Sequence, residues 1–177
     1  PLRRQRQMCI RDSERTRLRN TARNQPELLP SFSFVRTRVP FDWRLSGGLD
    51  LLAPEEPGRP YAFIAHDHDP HLISPEFQVP ALMAGELFLE MRVAPKNYLP
   101  PAEQNACLAW QSEAEPEFRP ARTVCFPVRA DGQAHAYQIK LTRNIHWARS
   151  GTATRLRLDP IAFPGRFEIL ALEFRGL

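Results

Sequence analysis

The sequence predicts an all-β fold, an antiparallel sandwich or barrel of about eight or nine strands, on three observations. Short apolar runs recur at spacings of roughly 10–20 residues, each closed by proline, glycine or acidic turns. Several of these runs alternate apolar and polar residues, the period of a half-buried strand. The chain also carries 18 prolines among 177 residues, a density that long helices cannot accommodate because proline removes a backbone donor and clashes with the preceding turn. With 42% hydrophobic residues, the length suits one domain with a substantial core.

Taken from the amino end, the candidate strands begin with SFSFVRTRV (31–39), DWRL (42–45) and YAFIAH (61–66). The proline-rich stretch LLAPEEPGRP (51–60) is read as a loop between them. GELFLEMRV (85–93) follows, then a second loop, APKNYLPPAEQ (94–104), and the strands ACLAWQS (106–112) and RTVCFPV (122–128). ADG (130–132) fits a hairpin turn, since glycine supplies the positive φ such turns need, and it leads into HAYQIKL (135–141). In TRLRLDP (154–160), Leu156 and Leu158 alternate with Arg155, Arg157 and Asp159, so the leucines face inward and the ions stand on the outer face. FEILALEF (167–174), read with the same period, puts Phe167, Ile169, Ala171 and Glu173 on one face. Glu168, Leu170, Leu172 and Phe174 then share the other. Leu156, Leu158, Ile139 and Val124 are expected in the core. The module spans residues 30–177 with no internal repeat or domain boundary, and no run of 18 apolar residues is present to cross a membrane as a helix.

The net charge of +4 is unevenly placed. Residues 1–23 hold eight of the 24 basic residues and two of the 20 acidic ones, leaving 16 basic and 18 acidic in the remainder. A mildly acidic body is a poor match for a phosphate-tracking surface, so nucleic acid is not an expected partner. RQRQMCIRDS (4–13) resembles translated sequencing-adapter read-through, and residues 1–24 are therefore expected to be a disordered basic tail without an evolved role. On that reading the module once followed another domain. Beyond Cys9, the cysteines are Cys107 and Cys125, each within a candidate strand. Buried free thiols are the expected state, with a bridge open to them if their Cα atoms lie within about 7 Å.

Three of the five histidines fall in YAFIAHDHDPHLISP (61–75). His66, His68 and His71 have the histidine spacing of the H-x-H-x-D-H motif of metallo-β-lactamase-like hydrolases. There, two histidines two apart face one metal and an Asp-His pair serves a second. Pro70 stands where the aspartate belongs, however, and Asp69 is displaced by one. Proline offers no ligand, and that hydrolase fold needs a βα alternation that this chain lacks. The expectation is a polar turn bent by Asp69-Pro70, with a small metal-dependent hydrolase as the alternative. No G-x-S-x-G, Gly-rich phosphate loop or C-x-x-C pair is present in the sequence.

The carboxyl-terminal part has a distinctive order of features. ACLAW (106–110) precedes an acidic turn with a buried-looking phenylalanine, EPEFRPART (115–123). VCFPV, ADG, HAYQIKL, Trp147, TRLRLDP, a Pro-Gly turn (164–165) and FEILALEF then follow. This order resembles a carbohydrate-binding-module-like jelly roll of galactose-binding-like type, as appended to bacterial glycosyltransferases and cell-surface polysaccharide proteins. The resemblance covers residues 61–177 and is most specific over 106–174.

The resemblance implies two packed antiparallel sheets and a non-catalytic accessory role. Glycan is then the implied partner, alongside a covalently linked enzyme domain, in either the bacterial cytoplasm or the cell envelope. No cofactor is implied beyond a structural calcium, to which Asp67, Asp69, Asp159 and Glu173 could contribute oxygens. Stacking on a sugar ring needs an exposed aromatic. Trp110 and Tyr137 sit inside alternating strands and are expected in the core. Trp147, with His146 and Arg149 beside it, is the candidate ligand-binding edge, set against the alternative that Trp147 caps the sandwich.

Overall fold

The structure, a computed structural model, describes residues 16–17, 29–35, 41–95 and 104–176. The basic tail, apart from residues 16 and 17, lies outside the described residues, as does most of the loop 94–104. Among the described residues are twelve strands. They are β1 (Ser31–Phe32), β2 (Arg44–Ser46), β3 (Leu49–Leu52), β4 (Ala62–Ala65), β5 (His71–Ile73) and β6 (Val79–Pro80). The longer ones follow: β7 (Glu86–Pro95), β8 (Asn105–Ser112), β9 (Thr123–Pro127), β10 (Ala134–Lys140), β11 (Thr152–Asp159) and β12 (Gly165–Arg175). A five-residue helix, Ile145–Arg149, stands between β10 and β11.

The strands form two antiparallel sheets of six, the jelly-roll sandwich expected. The first runs β10-β7-β12-β4-β3, with β1 also on β12; the second runs β2-β5-β11-β8-β9, with β6 also on β11. Their facing sides close over one core. Leu87, Leu89 and Met91 of β7 meet Leu108 and Trp110 of β8 and Leu156 and Leu158 of β11, all fully buried. Phe63 and Phe167 stack at 4.9 Å within the first sheet. Of the four residues expected in the core, Leu156, Leu158 and Ile139 are buried and Val124 packs half-buried against it.

Two expectations about local geometry change. ADG does not close a hairpin, because β9 and β10 belong to different sheets. Gly132, at φ +78°, turns the chain across the sandwich, and its N–H donates to the Val93 carbonyl. In β12 the register shifts between Ile169 and Ala171. The extra residue reverses the phase of alternation, so Phe167 and Ile169 are buried before it while Leu172 and Phe174 are buried after it. A constant period of two could not place both pairs inward.

Candidate functional site

The histidine stretch is where the chain leaves one sheet for the other, between β4 and β5. That crossing separates its side chains. His66 Nε2 lies 2.9 Å from Asp50 Oδ2 on β3, His68 Nδ1 lies 3.2 Å from the Ala162 carbonyl, and His71 Nδ1 lies 3.0 Å from the Asp69 carbonyl. The three rings thus serve three different anchors. Among the described residues no group of three or more His, Cys, Asp or Glu side chains is arranged to hold a metal ion. Three of the four carboxylates considered for calcium are engaged by arginines on both sheets. Asp69 and Asp159 both bind Arg157, whereas Glu173 pairs with Arg175 on the outer face of the other sheet.

Trp147 is also placed differently from an exposed edge. It is fully buried, and its Nε1–H donates to the carbonyls of Ala81 and Ala84 at 2.9 and 2.8 Å. Its ring packs edge-on to Trp110 at 5.1 Å and stacks on Phe174 at 5.9 Å. This corrects its reading as a sugar platform: the helix Ile145–Arg149 uses it to cap the core, leaving His146 and Arg149 exposed. The short helix starts on Asn144, whose side chain accepts from the His146 N–H, a conventional cap that satisfies a helix-end donor.

Open concave surface is found instead on the outer face of the second sheet. Antiparallel pairing sets its rows. Asp159 lies opposite Cys107, which lies opposite Cys125; in the next row Arg157, Ala109 and Thr123 are neighbours, and Arg155 faces Gln111 beyond. Ala109 gives this floor little height at its centre. The loop between β8 and β9 brings Phe118, Arg119 and Pro120 over one side, enclosing a groove of about 470 Å³. A second groove of about 540 Å³ lies on the same face, lined by Gln111, Thr154, Arg155, Glu76 and Gln78, with Glu113 and Pro116 of the same loop.

Charge on this face is balanced by pairing. Arg157 donates through Nε to Asp159 Oδ1 at 2.7 Å and through Nη2 to Asp69 Oδ1 at 3.0 Å. The hydrogen bond that Arg157 donates to Asp159, followed by the fields of Asp159 and Asp69, raises the Arg157 pKa further despite partial burial. Asp69, the carboxylate displaced from the metal-type motif, therefore serves the rim of this face. Arg155 reaches Glu76 at 2.6 Å, and Arg119 pairs with Glu117 at 3.0 Å.

The loop wall is held from below. Arg122, only 3% exposed, donates to the carbonyls of Glu115 and Glu117 and approaches Glu115 Oε2 at 3.2 Å. Those bonds to backbone fix the loop rather than a single side chain. The floor carries a second correction. Cys107 and Cys125 form a disulfide with Cα atoms 4.1 Å apart, and Cys125 is exposed. They are not buried thiols, because both point to the outer face of their strands, opposite Leu108 and Val124.

Sequence reasoning named Arg157, Asp159 and the two cysteines without bringing them together. Phe118, the buried-looking phenylalanine of the acidic turn, is half-buried and lines the groove wall. Its position depends on Arg122 and the loop path, for which a single sequence has no local signature.

No protein-family model matches the chain, and no curated protein matches it. Among solved structures it is similar to the K1 cleaved adhesin domain of Lys-gingipain from Porphyromonas gingivalis W83. That likeness has 12% identity and a TM-score of 0.52, over 84% of this chain and 98% of that one. It is also similar to the CBM22-1 xylan-binding domain from Paenibacillus barcinonensis Xyn10C, at 12% identity and TM-score 0.48, covering 82% and 92% of the two chains. A third is a family 6 carbohydrate-binding module from Clostridium stercorarium in complex with cellobiose, at 9% identity and TM-score 0.47, covering 85% and 95%. The first of these likenesses, at a TM-score of 0.52, shows a shared fold and nothing more.

Proposed function

We propose that this domain is a non-catalytic accessory module that binds glycan on the outer face of its second sheet. The observation that carries the reading is the groove between Phe118 and the Arg157–Asp159 pair. An aromatic face can cover the C–H side of a sugar ring, while the fixed ions, Thr123 and Arg119 present donors and acceptors to its hydroxyls. The polar groups are already oriented by their mutual bonds, which lowers the ordering cost of binding. One or two stacked rings offset little more than the immobilisation of a flexible sugar, so the affinity is weak, roughly 10 μM to 1 mM. A covalently linked enzyme domain of the polysaccharide-synthesis type would then be the catalytic partner. The divergent anchors of His66, His68 and His71 give the hydrolase alternative no support.

Calorimetric titration with a panel of oligosaccharides tests this reading. Phe118→Ala is expected to abolish the measurable heat while leaving the thermal midpoint within a few degrees of wild type. A double variant of the exposed His146 and Arg149 to alanine is expected to bind as wild type. Loss of binding in that variant, with Phe118→Ala unaffected, would move the site to the helix edge.

A further inference from the structure

The groove floor contains a disulfide that glycan recognition does not use. Cys107 on β8 and Cys125 on β9 are directly paired across the ladder, and both line the groove. Cys125 is exposed, and about 470 Å³ of open space lies over the bridge. Among the described residues β9 is an outer strand that pairs with β8 alone, and Asn144 Nδ2 also donates to its Thr123 carbonyl at 3.3 Å. None of its five residues is fully buried; Val124 and Phe126 turn inward but remain half covered. Its flanks are firmer, with Arg122 at 3% and Val128 at 7% exposure. Between those anchors the strand is held by its ladder to β8, by the half-covered Val124 and Phe126, and by the covalent link.

We propose that Cys107–Cys125 is a thiol-exchange site that latches the middle of β9 and can be reduced by a small thiol while the sandwich stays folded. The thiolate of a low-molecular-weight monothiol attacks the Sγ of Cys125, the exposed partner of the pair. A sulfur–sulfur bond forms between them, and the Cys107–Cys125 bond breaks. The electron pair leaves on Cys107 as a thiolate, which is protonated by water. A second monothiolate then attacks the monothiol sulfur of that mixed disulfide and releases Cys125 as a thiolate. Two monothiols are oxidised to one disulfide and two cysteines are reduced. Exchange of this kind is governed by access to the attacked sulfur as well as by thiolate supply, and here access is through the groove. The inference stands whether or not the groove takes a sugar.

The test treats the full chain with glutathione, without denaturant and below its thermal midpoint, followed by alkylation, peptide mapping and amide hydrogen exchange. Mapping separates Cys9 from the pair. The expected result is a mixed disulfide on Cys125, then two alkylated cysteines at 107 and 125, with β11 and β12 amides still protected. Exchange at Thr123–Phe126 should rise about tenfold or more, as for a local opening. A C107S/C125S double variant should show the same fast exchange without thiol. Reduction only under conditions that unfold β11 and β12 would overturn the proposal. So would a reduced protein whose β9 amides exchange as slowly as before, a measurement that stands even if the double variant fails to fold.

Discussion

Gly47 and Gly48 set how closely two chain crossings can approach. Both have positive φ, near 69° and 65°, and they carry the chain from β2 in one sheet to β3 in the other. A Cβ at Gly47 would lie 1.7 Å from the Asp69 carbonyl oxygen. Because that obstacle is backbone, no rotamer change relieves it. Gly47→Ala is expected to cost about 3 kcal/mol in chemical denaturation, from the strained dihedral together with the displaced crossing. Gly132 also has positive φ, but open space surrounds its Cβ position. Gly132→Ala should therefore cost only about 1 kcal/mol, the conformational part alone. Trp147 provides the complementary case. It is fully enclosed with its indole N–H satisfied, so Trp147→Ala should lower stability by about 3–5 kcal/mol, through the cavity left behind. A near-neutral melt would contradict its role as the cap.

At the scale of elements, legibility followed length and constancy of pattern. β7, β8, β10 and β11 each offered several alternations, and their ranges agree with the expected strands to within two residues. β5 and β6 have three and two residues, too few to display a period. β3 was missed because Leu51 and Leu52 run into the proline-rich loop. In β12 the pattern itself misled, since the bulge beside Leu170 exchanges inner and outer faces partway along. The loop between β8 and β9 depends on contacts distant from its own sequence pattern, chiefly the buried Arg122. Glu115 is half-exposed and can rehydrate, so the ion pair with it adds little; the charged bonds to the Glu115 and Glu117 carbonyls matter more. Arg122→Leu is expected to cost about 2 kcal/mol. It should also speed amide exchange across residues 113–119, whereas unchanged exchange there would show that the loop holds itself.

For the molecule as a whole, the sandwich divides its surface by task. The first sheet covers its outer face with paired ions such as Lys140–Glu86 and Arg92–Glu168, and Arg175 lies 3.7 Å over the Phe88 ring. The second sheet instead pairs its ions around open grooves, under a loop held by a buried guanidinium. The histidine-rich crossing supports this face through Asp69 and Arg157. Glycan recognition on this face, as proposed, is tested by backbone amide shifts during an oligosaccharide titration. Shifts are expected to cluster at Phe118, Arg119, Thr123, Arg157 and Asp159, with a half-saturation between roughly 10 μM and 1 mM. Shifts confined to the His146–Arg149 edge, or to the outer face of the first sheet, would contradict it.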